Sequence, residues 1–561
     1  LPLIRPERPR VGTGMERIVA RSSGHSVIAR RAGTVTKVTA NEIVITQASG
    51  EARSYSLIRY DRTNQNTILD QRPSVKVGQQ VEAGQIIADG PAIDNGELSL
   101  GRNLLIAFLS WNGYNFEDAI VVREGLVKDH KLSHIEIEKH SIGVHQTLRG
   151  PEILTPELPN VAGKDLEHLD DRGIAKIGSY VNPGDILVSK LSPKEAKALS
   201  AEEELLQAIF GKVAEEMGDT SLRVPHGSGG RVIDVRIFTP ETTPELKAGI
   251  ICEIEVLIAR LCPLEVGDKL AGRHGNKGIV AIVVKDCDMP YLPDGTPVDL
   301  VLNPLGVPSR MNVGQVFDTQ LGLYASILNR YYRIHQFDES IAPDASFRLV
   351  TDALKEVRKL PNYQWMGEDG KVKLYDGRTG EAFDRPVLVG RQYMLKLNQL
   401  VLHKINARSG LGGPYAAVTQ QPVGGKANHG GQRMGEMEVW AIQAYGAANV
   451  LHEMMTIKAD DIQGRHQSYA DMVQGNEIQP GGRTAAFDGL CCEIRGLGME
   501  VTLGKVVDTF EPMPLKGVAE DGESAKEKKD DGTPTKTLEE HYQVSRVDKL
   551  EAGDGTKILE I

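Results

Sequence analysis

The segment VGDKLAGRHGNKG (266–278) sets two lysines, Lys269 and Lys277, around Arg273 and His274, with four glycines from Gly267 to Gly278. Glycine lets backbone come close to a ligand, and lysine supplies a mobile cation suited to phosphate oxygens. The spacing GxxxxGK[ST] is missing, so this is not a P-loop, and ATPase or kinase readings lose their main support. His274 reads either as a proton carrier or as a local hydrogen-bonding residue. Downstream, VDLVLNPLGVPSRMNVGQ (298–315) presents Arg310 just before an expected helix start. An arginine at such a junction suits bidentate contact with phosphate, and equally suits a salt-bridge anchor. In WNGYNFEDAIVV (111–122), Glu117 and Asp118 stand side by side, as help for a divalent cation or as an ordinary turn.

These residues need elements to hold them. GTVTKVTANEIVITQ (33–47) spaces Val and Ile as two strands around a turn at Ala40-Asn41. VKVGQQVEAGQIIADGP (75–91) and AKIGSYVNPGDILVSKLSP (175–193) repeat one phrase, echoed by LEVGDKLAGR (264–273). Each reads as two strands joined by a turn that needs glycine at positive φ. Small, irregular β-barrels or sandwiches follow, and nothing sets up βαβ alternation. Ser200 with Glu203 forms a capping box, and Leu205, Leu206, Ile209, Phe210 and Val213 share one stripe, so 200–216 is an expected helix. Its apolar face packs on its own domain or waits for a partner. Residues 316–372 read as helical and then irregular, with YASILNRYYRI (324–334) as the helical core. Further helices are expected over YMLKLNQLVLHKI (393–405) and roughly 435–458, the last with Met437, Trp440, Ala441, Ala444, Ala448, Leu451 and Met455 in register. The final stretch, from KGVAEDGESAKEKKDDGTPTKT onward, reads as a charged, flexible tail.

At 561 residues the chain is too long for a single core. Its net charge of −11 argues against a protein that simply coats nucleic acid. The average hides basic zones. Val387 to Met434 contains no Asp or Glu, where composition predicts roughly six, and it carries Arg391, Lys396, Lys404, Arg408, Lys426 and Arg433. Arg5, Arg8, Arg10, Arg17, Arg21, Arg30 and Arg31 open the chain against only Glu7 and Glu16. Basic zones in an acidic protein fit a channel for polyanions. No apolar run is long enough for a membrane span. Cys252, Cys262, Cys287, Cys491 and Cys492 form no CxxC pair, so neither zinc nor a disulfide framework is expected, and a reducing interior is. The opening LPLIRPERPRVGTG has no initiator Met and no apolar signal core, and reads as the middle of a longer chain.

The chain resembles the β subunit of bacterial RNA polymerase. The resemblance is carried, in the family's order, by GTGME (12–16), TNQNT (63–67), WNGYNFEDAIVV, SLRVPHG (221–227) and VGDKLAGRHGNKG. It continues through DGTPVDLVLNPLGVPSRMNVGQ (294–315), YDGRTGE (375–381), VTQQPVGGKA (418–427) and GGQRMGEMEVWAIQAYGAA (430–448). It implies the C-terminal half of a multidomain, mixed α+β subunit containing a double-psi β-barrel and sandwich-barrel hybrid-like modules. Residues 1–134 and 260–405 would be the hybrid-binding region, and 135–259 an inserted flap whose tip helix is 200–216. A helical switch and clamp segment would occupy 406–510, with the tail at 511–561.

By position in the matching motifs, Lys269 and Lys277 would reach RNA-end and initiating-nucleotide phosphates, and Arg310 the incoming triphosphate. Glu117 and Asp118 would lie near a weakly held second magnesium. Arg273, His274, Asn406, Arg408, Lys426 and Arg433 are candidate nucleic-acid contacts, and Leu205, Leu206, Ile209 and Phe210 a docking face for sigma factor. The tightly held Mg2+ belongs to an Asp triplet of the β′ subunit, which this chain lacks, so no catalysis is expected from it alone. Implied partners are β′, the α subunits, the N-terminal half of β, sigma factor, DNA template and RNA, in a cytoplasm or plastid stroma. Two departures stand out: Asn406 replaces the family's usual histidine before Ala407-Arg408-Ser409, and the following GLGGP is longer than the usual turn. Two rivals are an isolated fragment that binds sigma or elongation factors without synthesis, and a separate nucleotide-dependent enzyme on a β-barrel.

Overall fold

The computed structural model describes residues 1–147, 150–158, 161–193, 217–244, 246–247, 249–409 and 413–499, with 501, 504–505 and 511–512. The expected tip helix at 200–216, with Leu205, Leu206, Ile209 and Phe210, lies outside the described residues, as does nearly all of the tail. The chain divides into two compact units, Leu1–Lys404 and Ile405–Ile561.

Strands β1 (Gly33–Val38), β2 (Glu42–Thr46) and β3 (Ala52–Ser56) form an antiparallel meander, with Val38 opposite Ile43 across the expected turn. The repeated phrase yields short strands at Gln80–Val81 and Ile86–Asp89, and again at Tyr180–Val181 and Ile186–Val188. Gly78, Gly84, Gly178 and Gly184 take φ of 84°, 85°, 93° and 95°, a region that side-chain-bearing residues enter at a steric cost. The two strands of each phrase do not pair with each other. Gln80–Val81 joins β1, whereas Ile86–Asp89 joins strands at 27–28 and 72–73. Each phrase therefore crosses between sheets and is not a hairpin.

Next come β4 (Gly101–Phe108) and β5 (Ala119–Arg123), after which the chain leaves for a long excursion. There β6 (His134–Thr147), β7 (Gly230–Phe238) and β8 (Ile250–Cys262) build an antiparallel sheet over a core of Ile174, Val181, Val188, Val232, Ile254 and Val256. The return supplies β9 (Lys269–Ala271), β10 (Lys277–Val284), β11 (Leu300–Leu302) and β12 (Val387–Lys396). Pairing runs β4–β11–β5–β10–β9–β12, and β12 pairs back onto β4 from Gly101↔Leu395 to Phe108↔Leu388. The six strands thus close into a barrel with no free edge.

Alternation along β4 explains the barrel's two apolar layers. Leu104, Ile106 and Phe108 join Ile120, Leu270, Val280, Leu300 and Met394, drawn from all six strands, in the lumen. Leu105 and Ala107, one residue out of phase, face outward with Val121, Val301 and Val389. Helices α1 (Gly314–Ile327) and α2 (Ala345–Arg358) cover that outer layer through Leu321, Tyr324, Ala353 and Val357. Apolar demand on both faces is why LLIAF reads as a continuous apolar run.

Three helix expectations are corrected. The helix expected from 316 forms as α1 but ends at Ile327 and not through 334, since Tyr332–Arg333 is extended beside Val11–Gly12, and the chain expected to be irregular after it holds α2. YMLK, expected as helix, extends β12, because Tyr393 to Leu395 pair with β4, and only Val401–Lys404 is helical. The helix expected at 435–458 is two, α3 (Glu436–Ala444) and α4 (Ala448–Met455), interrupted at Gly446 with φ 66°. Helices α5 (Ile462–Gln474) and α6 (Ala485–Gly496) complete the second unit's described helices. No helix among the described residues is long and apolar enough to cross a membrane.

Candidate functional site

Strands β9 and β10 form a hairpin, with Lys269 opposite Ile279 and Ala271 opposite Lys277. Directly opposed residues share a face, so Lys269 and Lys277 rise from the same side. Lys269 Nζ donates to Gln399 Oε1 at 2.7 Å, whereas Lys277 is exposed and makes no ion pair among the described residues. Gly278 fixes the hairpin against β5. A Cβ there would stand 2.4 Å from the Asp118 carbonyl oxygen, so glycine here admits protein backbone and not a ligand.

That approach brings Asp118 beside Lys277. Glu117 precedes it at φ 53°, exposed, in a conformation that turns the chain into β5. Arg310 ends the short helix Gly306–Arg310, and Met311 follows at φ 55°. Its guanidinium grips Asp118 with both branches, Nη1 to Oδ1 at 2.6 Å and Nη2 to Oδ2 at 2.7 Å. These bonds raise the arginine's proton affinity above its usual value. Side chains of the pair remain 44% and 39% exposed, so an anion from solvent can compete for the arginine. Glu117, Asp118, Lys277, Asn303 and Arg310 line one open cleft. Sequence reading marked Arg310 and Asp118 separately and missed that each is the other's partner; 192 residues of separation hide the pairing.

The other marked residues of the 266–278 segment are tied down. Asp318, buried on α1, accepts from Arg273 Nη2 at 3.0 Å and meets His274 Nε2 at 3.1 Å. Arg273 also lies 5.1 Å over the Tyr393 ring. Asp318 thus anchors the hairpin loop to a rigid helix, a role the sequence did not signal. At the chain's opening, Arg8 and Arg10 lie over the Tyr331 ring at 3.9 and 4.6 Å.

Candidate residues of the second unit are described within that unit alone. Asn406 Nδ2 donates to the Gly430 carbonyl at 2.7 Å, and Arg408 Nη1 to Pro414 at 2.8 Å. Arg408 and Arg465 stack on Tyr415 at 4.7 and 3.7 Å. Asn406 therefore uses its amide to hold the glycine-rich loop, a bond its hydrogen-bonding side chain makes without charge. Arg433 is exposed, and Lys426 sits in a short turn at 426–428.

With this geometry in hand, known proteins supply the frame. The family model for RNA polymerase Rpb2, domain 6, matches residues 28–428. The chain belongs to this family. The model for domain 7 matches residues 430–506, so the chain corresponds to the C-terminal part of the subunit. It is 52% identical over 509 residues to the DNA-directed RNA polymerase subunit beta of Rhodomonas salina, covering 90% of this chain and 46% of that one. It is 50% identical over 511 residues to that of Gloeobacter violaceus, covering 90% and 46%. Against that of Prochlorococcus marinus strain MIT 9211 it is 51% identical over 518 residues, covering 91% and 47%. The chain spans about half the length of the curated relatives it matches.

Proposed function

We propose that this chain is one part of a DNA-directed RNA polymerase, holding phosphate charge during templated nucleotidyl transfer from ribonucleoside triphosphates. The observation that carries the reading is the accessible, bidentate Arg310–Asp118 pair in a cleft shared with exposed Lys277. An arginine fork that fits a carboxylate also fits a triphosphate oxygen pair. Arrival of the incoming nucleotide exchanges one anion for another on Arg310, so no charge is stranded. Lys277, and Lys269 beside it on the same hairpin face, hold the phosphates of the RNA end and stabilise charge that develops as pyrophosphate leaves.

Exchange on Arg310 frees Asp118. With Glu117 it offers carboxylate oxygens, the donor type a hard divalent cation prefers. Two carboxylates are too few for a site made by protein alone, and they fit a weakly held Mg2+ completed by phosphates and by the β′ subunit. When bound, that ion neutralises leaving-group charge. Partners in this reading are β′, the α subunits, the N-terminal half of β, sigma factor, template and RNA, in cytoplasm or plastid stroma. The six-stranded ring is then the double-psi barrel, 135–259 the flap, and the part beyond 406 the switch and clamp segment.

RNA synthesis by this chain, reconstituted with and without the N-terminal half of β, α and β′, tests the reading. Synthesis only in the complete mixture is expected. A complete mixture that assembles and binds sigma factor yet makes no RNA would favour a factor-binding fragment.

A further inference from the structure

His134 and Cys262 stand directly opposite each other across the β6–β8 ladder. Glu136, two residues along β6, rises on the same face because side chains alternate along a strand. A ligand atom from each of these buried residues lies within 4.8 Å of the others. His403, on the short helix Val401–Lys404, adds a second imidazole. Its Nε2 is 3.0 Å from Glu136 Oε1, the oxygen that also meets His134 Nε2 at 3.1 Å. Cysteine spacing gave no hint of this cluster, because its members are brought together by strand pairing across more than a hundred residues of chain.

We propose that His134, Glu136 and Cys262 form a binding site for a divalent transition-metal ion of the zinc type, separate from the phosphate cleft, with His403 held to Glu136 as an outer partner. An imidazole nitrogen, a carboxylate oxygen and a thiolate sulfur are three donors of borderline softness, which suit Zn2+ or Co2+ and not Mg2+ or Ca2+, and they leave a fourth position to solvent. The charges balance. One carboxylate and one thiolate cancel the ion's two charges, and the imidazole binds neutral. Lys396, the buried cation alongside, is already matched by Asp268 at 3.3 Å and donates to the Pro263 carbonyl at 2.8 Å. Coordination forms the sulfur–metal bond as the thiol proton leaves to solvent.

The protein side carries two marks of such a site. Glu136 Oε2 and His134 Nδ1 are buried without a hydrogen-bond partner among the described residues, an arrangement that costs free energy unless something answers them. His403 is 44% exposed, which leaves a route in from solvent.

The test uses the full chain, stripped with a chelator and titrated with Co2+ and then Zn2+. We expect about one retained equivalent, a thiolate-to-Co2+ charge-transfer band in the near ultraviolet, and displacement of Co2+ by Zn2+. Cys262→Ser should abolish the band, and Cys287→Ser, at an exposed thiol outside the cluster, should keep it. Should Cys262→Ser fail to fold, His403→Gln at the solvent side decides. It should weaken Co2+ retention at least the roughly tenfold that loss of an outer partner causes. No band and no retained metal in the unsubstituted chain overturns the proposal, as does a band that survives Cys262→Ser or unchanged affinity in His403→Gln.

Discussion

The Arg310–Asp118 pair makes opposite demands on its two members. If Arg310 trades Asp118 for triphosphate, Arg310→Ala removes a charged, forked contact, and a loss of roughly tenfold or more in apparent affinity is expected. Arg310→Lys should recover only part, since an ammonium cannot make both bonds. Asp118→Asn should behave differently in a reconstituted polymerase. The nucleotide KM should fall or stay level because a competitor for Arg310 is weakened, while kcat drops because a cation ligand is lost. A KM that rises in Asp118→Asn as it does in Arg310→Ala would show that the pair acts as one structural clip. Both residues were legible in the sequence as charged groups at turns. Their pairing was not, because no local pattern links a turn before β5 to a helix end 192 residues later. Asp318 was illegible for a related reason: one acid on an apolar helix face gives no sign of which cations it will hold.

At the scale of elements, the β9–β10 hairpin depends on Gly278. Gly278→Ala would force β5 and β10 apart at Asp118, so loss of stability by a few kcal/mol is expected, read as a lower thermal midpoint. A second element carries a pH dependence. Glu152 accepts from Lys190 at 2.8 Å, Ser192 at 2.6 Å and the His145 amide at 2.8 Å. Burial would raise its carboxyl, yet these partners win and hold it at about 2, below the usual 4.5. A depressed folded value means the contribution, up to about 3 kcal/mol, is complete above the ordinary value and fades as pH falls through about 2. Hydrogen exchange in the strands at 153–154 and 190–193 should show protection that declines over that window, and Glu152→Gln should flatten the decline. Turn glycines were the most legible feature, because positive φ leaves few alternatives to glycine. Strand against helix at 393–396 was the least: YMLK suits either period, and only pairing with β4 decides it.

Across the whole molecule the two units differ in how they are built. The first closes a barrel around its own lumen and covers the outside with helices. The second leaves Met437, Trp440, Tyr445 and Leu490 at 71%, 54%, 90% and 54% exposure. Apolar surface of that extent is consistent with the proposed place of this chain in a larger assembly. The chain cut after Lys404 should therefore keep cooperative unfolding, and residues 405–561 alone should show helix by far-ultraviolet circular dichroism with a broad thermal transition. A sharp transition in the isolated second unit would count against this. Mixed α+β architecture was legible from short strands and glycine turns, whereas barrel closure was not, since it rests on one long-range pairing of β4 with β12. The central claim is that this chain holds the incoming triphosphate through Arg310. Single-nucleotide addition by the reconstituted polymerase measures it directly, comparing Arg310→Ala with the unsubstituted chain over a range of nucleotide concentration. A KM raised roughly tenfold or more with assembly intact is the result expected, and an unchanged KM and rate would contradict the account.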